Sequence, residues 1–72
     1  MYTKKELKFS LFVIYQLAER WNMTPPAVYR ILNDTGILDN YIVACYDTLH
    51  TLGAEYLSED ITEFVREKGV QV

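Results

Sequence analysis

The stretch NMTPPAVYRILNDTG, residues 22–36, carries the start and stop signals of one complete short helix. Thr24 offers a hydroxyl that can cap a helix, and Pro25 suits the first helical position because its φ is fixed and its missing N–H is not needed there. Gly36 can take the left-handed conformation at which many helices end. We therefore expect a helix from Pro25 to about Asp34. Its apolar side is formed by Ala27, Val28, Ile31 and Leu32.

The residues before this stretch predict a longer first helix. Thr3 followed by Glu6 is the pattern of a capping box, in which each side chain accepts a hydrogen bond from an otherwise unpaired backbone N–H. No proline or glycine interrupts the chain before Asn22, so this helix should span roughly residues 4–22. Its core-facing side is expected to comprise the apolar residues that recur at helical spacing: Leu7, Leu11, Ile14, Ala18 and Trp21.

Two further helices are expected after the opening stretch. Asp39 can cap a third helix, which Gly53 would stop. Ser58 is followed by two acidic residues that complement the positive end of a helix dipole, so a fourth helix should start there. This fourth helix should run to Lys68, with Gly69 as its stop.

The size and composition of the chain favour one small domain. Its 72 residues are half apolar and 14% aromatic. A chain of this length buries only about 60% of the surface that its unfolded form exposes. With no alternating strand pattern, we predict an all-α fold: a single domain over residues 1–72, built as a bundle of about four helices with short connections. Helix 4 should pack back on helix 1 or helix 3, and oligomerisation would be a natural supplement to a small core.

The charge balance bears on the partners of the protein. Seven basic and ten acidic residues give a net charge of −3, so nothing attracts the chain in general to phosphate backbones or to anionic membranes. We therefore expect neither nucleic acid nor a membrane as its partner. A single cysteine forms no internal disulfide and no multi-cysteine zinc site, which fits a reducing cytoplasm.

The opening segment KKELKFSLFVIYQLA superficially resembles a signal peptide, because lysines precede an apolar run. Glu6 interrupts the basic region, and Gln16 occupies the position where a small residue is wanted for cleavage after Ala18. The apolar run is also too short to span a bilayer. We expect this segment to be a helix of a cytoplasmic protein.

The third predicted helix carries the residues with the most chemistry. Cys45 falls on its apolar arc, where a free thiol usually serves as a small packing residue. Asp47 and Tyr46 could meet His50, and a carboxylate, an imidazole and a phenol are the components of a general base. A catalytic site also needs a cleft and a stabiliser of the electrophile. We favour the alternative that His50 hydrogen-bonds the last carbonyls of its helix, and we expect no enzyme.

Cofactor and metal sites are not expected. The single histidine and the scattered carboxylates match no zinc or calcium spacing. The three glycines do not form a phosphate-binding loop.

Helix 1 has apolar residues on more than one side. If Leu7 and Leu11 face the core, Phe9 and Phe12 project from the opposite side, and Val13 extends this group toward the edge of the core. These three residues are candidates for contact with a second copy of the chain or with another protein, because aromatic side chains often anchor interfaces. Alternatively, helix 4 or the chain ends could cover them.

A DNA-binding regulator is the alternative function. Helices 2 and 3 with their turn resemble a helix-turn-helix, whose second helix would enter the major groove. That helix carries Asp39 and Asp47 but no lysine or arginine. Since neutralising phosphates supplies much of the affinity for DNA, the charges disfavour this alternative.

The segment YDTLHTLGAEYLSEDI, residues 46–61, resembles the signature of the bacterial family known as domain of unknown function 3791. The upstream segment FVIYQLAERWNMTPPAVYRILNDTGILDNYI resembles the same family in its aromatic first helix, its glycine-terminated second helix and its "LD" before the third. The motif residues are Tyr46, Asp47, Leu49, His50, Thr51, Gly53, Tyr56, Asp60 and Ile61. The sequence departs from the motif at Leu52, where a polar residue is commoner.

The resemblance implies a small, stand-alone bacterial protein encoded beside a larger partner, such as an ADP-ribosyltransferase-like protein. It would fit an antitoxin-like or adaptor role and transfers no catalytic role. We therefore expect a non-enzymatic protein-interaction module that uses the aromatic residues of helix 1. Asp47, His50 and Tyr56 are the candidate polar contacts.

Overall fold

A computed structural model describes residues 2–72 of the chain. These residues form five helical segments and no β-strand, which confirms the all-α class and the small helical bundle. The segments are α1 (Lys4–Trp21), α2 (Pro25–Asp34), a π-helical segment (Leu38–Val43), α3 (Tyr46–Leu49) and α4 (Ala54–Glu67).

The ends of α1 follow the local signals in the sequence. The Thr3 hydroxyl accepts the backbone N–H of Glu6 at 3.1 Å, and the Glu6 carboxylate accepts the backbone N–H of Thr3 at 2.8 Å. At the other end, Asn22 takes the left-handed conformation with φ of 54°, and its N–H donates to the carbonyls of Ala18 and Glu19. The predicted capping box is therefore confirmed, and α1 ends within one residue of the predicted boundary.

Helix α2 is also confirmed as predicted. The Thr24 hydroxyl accepts the backbone N–H of Ala27 at 3.4 Å, and Pro25 occupies the first helical position. Gly36, just beyond the helix, has a φ of +79° that residues with a Cβ rarely adopt. The helix buries Val28 and Leu32 completely.

Helix α1 lies at the centre of the bundle and packs against both α2 and α4, which confirms that the last helix returns to the first. Every helix except α3 contributes to one apolar core. Its members are Val13, Ile14, Leu17, Ala18, Val28, Leu32, Ile37, Leu38, Ile42, Ile61 and Val65. The indole N–H of Trp21 donates to the Thr62 hydroxyl at 3.0 Å, so a side-chain hydrogen bond also joins the end of α1 to α4.

The prediction of which side of α1 faces the core is partly wrong. Leu7 and Leu11 are 49% and 45% exposed, whereas Val13 is buried and Phe9 is half-buried against the core. The apolar residues of α1 extend around most of the helix, so their spacing does not select a unique face. Packing against α2 and α4 selects the side that carries Ser10, Val13, Ile14, Leu17 and Ala18.

The single third helix predicted from the sequence is also wrong. It is divided into the π-helical segment and α3, with a turn at Ala44 and Cys45 between them. Cys45 has φ of −105° and ψ of 23° and is only partly buried, so it lies at a break rather than within a packed helical face. Asp39 makes no capping hydrogen bond; its carboxylate accepts one from the Tyr2 hydroxyl instead.

Helix α4 starts four residues before the predicted Ser58. Gly53 is its N-cap, in an extended conformation with φ of −69° and ψ of 152°, and does not stop the preceding helix as a left-handed residue. Ser58 is buried within α4 because the helix turns its side chain toward the core. The other end is close to the prediction, since α4 ends at Glu67 and Gly69 has a φ of +91°.

Candidate functional site

The corner between α3 and α4 holds the single histidine. The His50 ring stacks on the Tyr46 ring, with 4.5 Å between centroids and 10° between planes. Its Nδ1 lies 2.8 Å from the Tyr46 carbonyl oxygen, so Nδ1–H donates to the last turn of the helix. Tyr46 in turn packs edge-on against Phe9 of α1, at 5.4 Å between centroids. His50 therefore has the capping contact that we favoured from the sequence.

The other two candidate polar contacts lie apart from this stack. The Asp47 carboxylate is exposed, and within residues 2–72 no hydrogen bond or ion pair joins it to His50. Tyr56, on α4, is 60% exposed. The structure thus places Asp47 and Tyr56 on the surface, but it does not assemble the hydrogen-bonded pair that a general base would require.

Two tyrosine–aspartate hydrogen bonds join the π-helical segment to other parts of the protein. The Tyr41 hydroxyl donates to Asp60 of α4, and this hydrogen bond to a carboxylate raises the pKa of Tyr41 to about 12. The Tyr2 hydroxyl donates to Asp39, and the pKa of Tyr2 is likewise raised to about 12 by that hydrogen bond. Both phenols remain protonated at neutral pH and act as structural donors.

The outer face of α1 carries a patch of exposed apolar side chains, and two of its members, Leu7 and Leu11, had been predicted to face the core. We define it as Leu7, Leu11, Phe12 and Tyr15, which are 49%, 45%, 43% and 61% exposed. Leu7, Leu11 and Tyr15 follow one another at intervals of four residues, and Phe12 lies three residues before Tyr15, so neighbouring members meet on the helix surface. Isolated exposed apolar side chains are ordinary, but four on one helix face form a contiguous patch.

Charged residues frame this outer face with opposite signs at its two ends. Lys4 and Lys8 lie near the N-terminal end of α1, and Glu19 lies near the C-terminal end. All three side chains are exposed. At about 100° per residue, they point to the same side of the helix as Leu11 and Tyr15.

Of the three residues proposed from the sequence for partner contact, one is available. Phe12 is exposed, Phe9 is half-buried beneath Tyr46, and Val13 is 2% exposed and belongs to the core. Sequence reasoning missed Leu7, Leu11 and Tyr15 as surface residues. Their interval of four was visible in the sequence, but leucines at helical spacing are more often core residues, so Leu7 and Leu11 were assigned to the buried side and Tyr15 to neither side.

A groove of about 300 Å³ separates α1 from the start of α4. Gln16, Glu19, Arg20, Ala54, Glu55 and Ser58 line it. The lining is largely polar and carries both signs of charge, so it selects no class of ligand. Within residues 2–72, no three side chains of histidine, cysteine, aspartate or glutamate gather as a metal ion would require.

The family model described as "Protein of unknown function (DUF3791)" matches residues 8–68. The chain belongs to this family. The match covers the corner between α3 and α4 as well as most of the outer face of α1, and it confirms the resemblance read from the sequence. No curated protein and no solved structure matched this DUF3791 chain.

None of the helices described for this DUF3791 protein has the length and apolar character needed to cross a membrane. The longest, α1, has 18 residues but includes three lysines in its first two turns.

Proposed function

We propose that this DUF3791 protein is a non-enzymatic protein-interaction module that binds through the outer face of α1. The observation that supports the proposal is the patch of Leu7, Leu11, Phe12 and Tyr15, each at least 43% exposed on one helix. Leaving these side chains in water forgoes the hydrophobic free energy that their burial would release. In a domain this small, where few apolar residues can be spared from the core, a binding role accounts for that loss.

The corner between α3 and α4 and the outer face of α1 then have different roles. The Tyr46 ring packs α3 against Phe9 of α1 and stacks on His50, while the Tyr41–Asp60 hydrogen bond joins the π-helical segment to α4. Helix α1 is then a platform whose inner side is buried in the core and whose outer side is exposed. An antitoxin-like or adaptor role in the cytoplasm fits such a platform, since both roles require binding without chemistry.

The proposal can be tested by capturing proteins from the organism that encodes this chain. The immobilised native protein should retain a partner that the double variant Leu11→Ser/Phe12→Ser loses. A matched control is Leu52→Ser/Tyr56→Ser, which removes two exposed apolar side chains from the corner between α3 and α4. Because all four side chains are exposed, both variants should keep the native circular dichroism spectrum.

Equal retention by both double variants would show that the outer face of α1 does not bind the partner. Loss in the control alone would move the binding surface to the corner that carries Asp47 and Tyr56. The mapping therefore distinguishes the two sets of candidate residues.

The DNA-binding alternative has less support. Its second helix would lie over residues 40–52, where the chain consists of most of the π-helical segment, a turn at Ala44 and Cys45, the single turn of α3 and the bend that follows it. A recognition helix of this kind is normally continuous through the groove. A binding assay with duplex DNA at low ionic strength would revive the alternative if it showed retention that weakens steeply with added salt.

A further inference from the structure

We propose that the outer face of α1 binds a second copy of the same chain, with the two α1 helices antiparallel about a two-fold axis. This inference rests on the proposed function and names its partner. Three features of α1 carry the inference: the spacing of its exposed residues, the distribution of its charges and the area that its apolar patch offers.

The exposed residues have the spacing of a helix–helix contact. Lys4, Lys8, Leu11 and Tyr15 are separated by four, three and four residues, which is the interval pattern of residues that face a partner helix. At about 100° per residue, these four lie within an arc of about 60°, and Leu7 and Phe12 flank it on either side. A second helix that packs along this arc can therefore contact Leu11 and Tyr15 directly and also cover Leu7 and Phe12 on either side of it.

An antiparallel arrangement makes the face complementary to itself. Centring the two-fold axis between Leu11 and Phe12 places each of these residues against the other in the partner copy. The same register brings Lys4 opposite Glu19, and this ion pair occurs twice because the axis repeats it. Lys8 falls opposite Tyr15 of the partner copy, and its ammonium group can make a cation–π interaction with that ring.

The parallel arrangement is disfavoured by the same charges. It would place Lys4 against Lys4 and Lys8 against Lys8 at one end, and Glu19 against Glu19 at the other. A purely acidic partner would match the two lysines but would meet Glu19 with a like charge. A purely basic partner would have the opposite conflict. A second copy satisfies both ends of the face at once.

The available area sets the expected strength. Aromatic side chains bury about 150–250 Å² each when fully covered. With Phe12 and Tyr15 about half exposed, and with the exposed parts of Leu7 and Leu11 added, the patch offers on the order of 400 Å². A standard interface buries about 800 Å² per partner. The aliphatic stems of Lys4 and Lys8 add area, yet the contact stays on the small side. We therefore expect a dimer that dissociates in the micromolar range or weaker and that exchanges rapidly.

Reversing the charges of Lys4 and Glu19 is the decisive experiment. Lys4→Glu and Glu19→Lys each replace two attractive pairs by two repulsive ones, so each variant should dimerise on the order of tenfold more weakly by sedimentation equilibrium. Neither change should harm the monomer, since an acidic residue in the first turn and a basic residue in the last turn both suit the helix dipole.

Mixing the two single variants provides the test that a general charge effect cannot imitate. In a mixed dimer, the glutamate introduced at position 4 of one copy meets the lysine introduced at position 19 of the other, while the native Glu19 of the first copy meets the native Lys4 of the second. The equimolar mixture should thus recover the native association, and the double variant Lys4→Glu/Glu19→Lys should recover it alone. The matched control is Arg30→Glu, a reversal at an exposed position of α2, which should leave dimerisation unchanged.

Several results would overturn the inference. If each single variant dimerises like the native protein, or if the mixture does not recover, the two helices are not antiparallel in this register. If the native protein remains an 8.4 kDa monomer up to millimolar concentration, the second copy is not the partner. In that case, selective loss of a captured protein by Leu11→Ser/Phe12→Ser would still support the proposed function. Failure of both experiments would end both proposals.

Discussion

The hydrogen bond between Trp21 and Thr62 gives the sharpest stability prediction, because it joins α1 to α4 through two side chains. Thr62→Val keeps the shape of the side chain but removes the oxygen that accepts the indole N–H at 3.0 Å. Thr62 is 2% exposed, so its replacement leaves the indole N–H without its protein acceptor. An unpaired buried donor costs about 1–3 kcal/mol.

Three smaller effects modify that cost. The Thr62 hydroxyl also donates to the Ser58 carbonyl one turn back, but that carbonyl remains within the helical ladder, so its loss adds little. Burying a methyl group in place of the hydroxyl returns up to about 0.8 kcal/mol. Trp21 is half-buried, and water can partly satisfy its N–H. The free energy of unfolding should therefore fall by about 1 kcal/mol, which lowers the Tm by roughly 4–8 °C for a domain of this size.

Urea denaturation followed by far-ultraviolet circular dichroism would measure this change. Trp21 is the single tryptophan, so its fluorescence reports the same transition at the α1–α4 contact. Thr62→Ser is the matched control, because it keeps the acceptor oxygen and loses only a methyl group. In the Trp21→Phe background, the cost of Thr62→Val should largely disappear. An undiminished cost in that background, or a Thr62→Val protein as stable as the native one, would refute the role assigned to this hydrogen bond.

Three other predictions concern pH and backbone conformation. The pKa of Tyr41 is about 12 in the folded protein and about 10 in an unfolded chain, so the folded state retains a proton that the unfolded state loses. Stability should therefore decrease as the pH rises from about 10 to 12, and Tyr41→Phe should reduce this decrease in a pH series of denaturation curves. Gly36→Ala should destabilise the protein by about 1 kcal/mol because φ is +79°, measured as a lower urea midpoint. Gly53→Ser should instead leave that midpoint unchanged or raise it, since Gly53 is extended, has open space around its Cβ position and gains a capping oxygen. A large loss at Gly53 would contradict its role as an N-cap.

The local signals predicted the first half of the fold well. The capping box at Thr3 and Glu6 and the Thr24–Pro25 start are interactions between residues at most three positions apart. Such interactions form in the same way whatever the rest of the chain does. The boundaries of α1 and α2 were accordingly correct to within one residue.

The second half could not be predicted from local signals in the same way. Gly53 can stop one helix in a left-handed conformation or start the next in an extended one, and the sequence does not distinguish these uses. Ser58 is a frequent capping residue, but here it is buried in the middle of α4. The hydrogen bonds of Tyr41 to Asp60 and Tyr2 to Asp39 join residues 19 and 37 positions apart, so no short motif could reveal them.

The sequence by itself determined the all-α class, the caps of α1 and α2, and the family, because each depends on short-range patterns. The tertiary structure alone decided which side of α1 is buried and where the third helix breaks. Apolar residues surround most of α1, so its periodicity allows more than one buried face. The face that packs against α2 and α4 puts Val13 in the core and leaves Leu7, Leu11, Phe12 and Tyr15 outside. The candidate binding surface follows from that choice of packing partners.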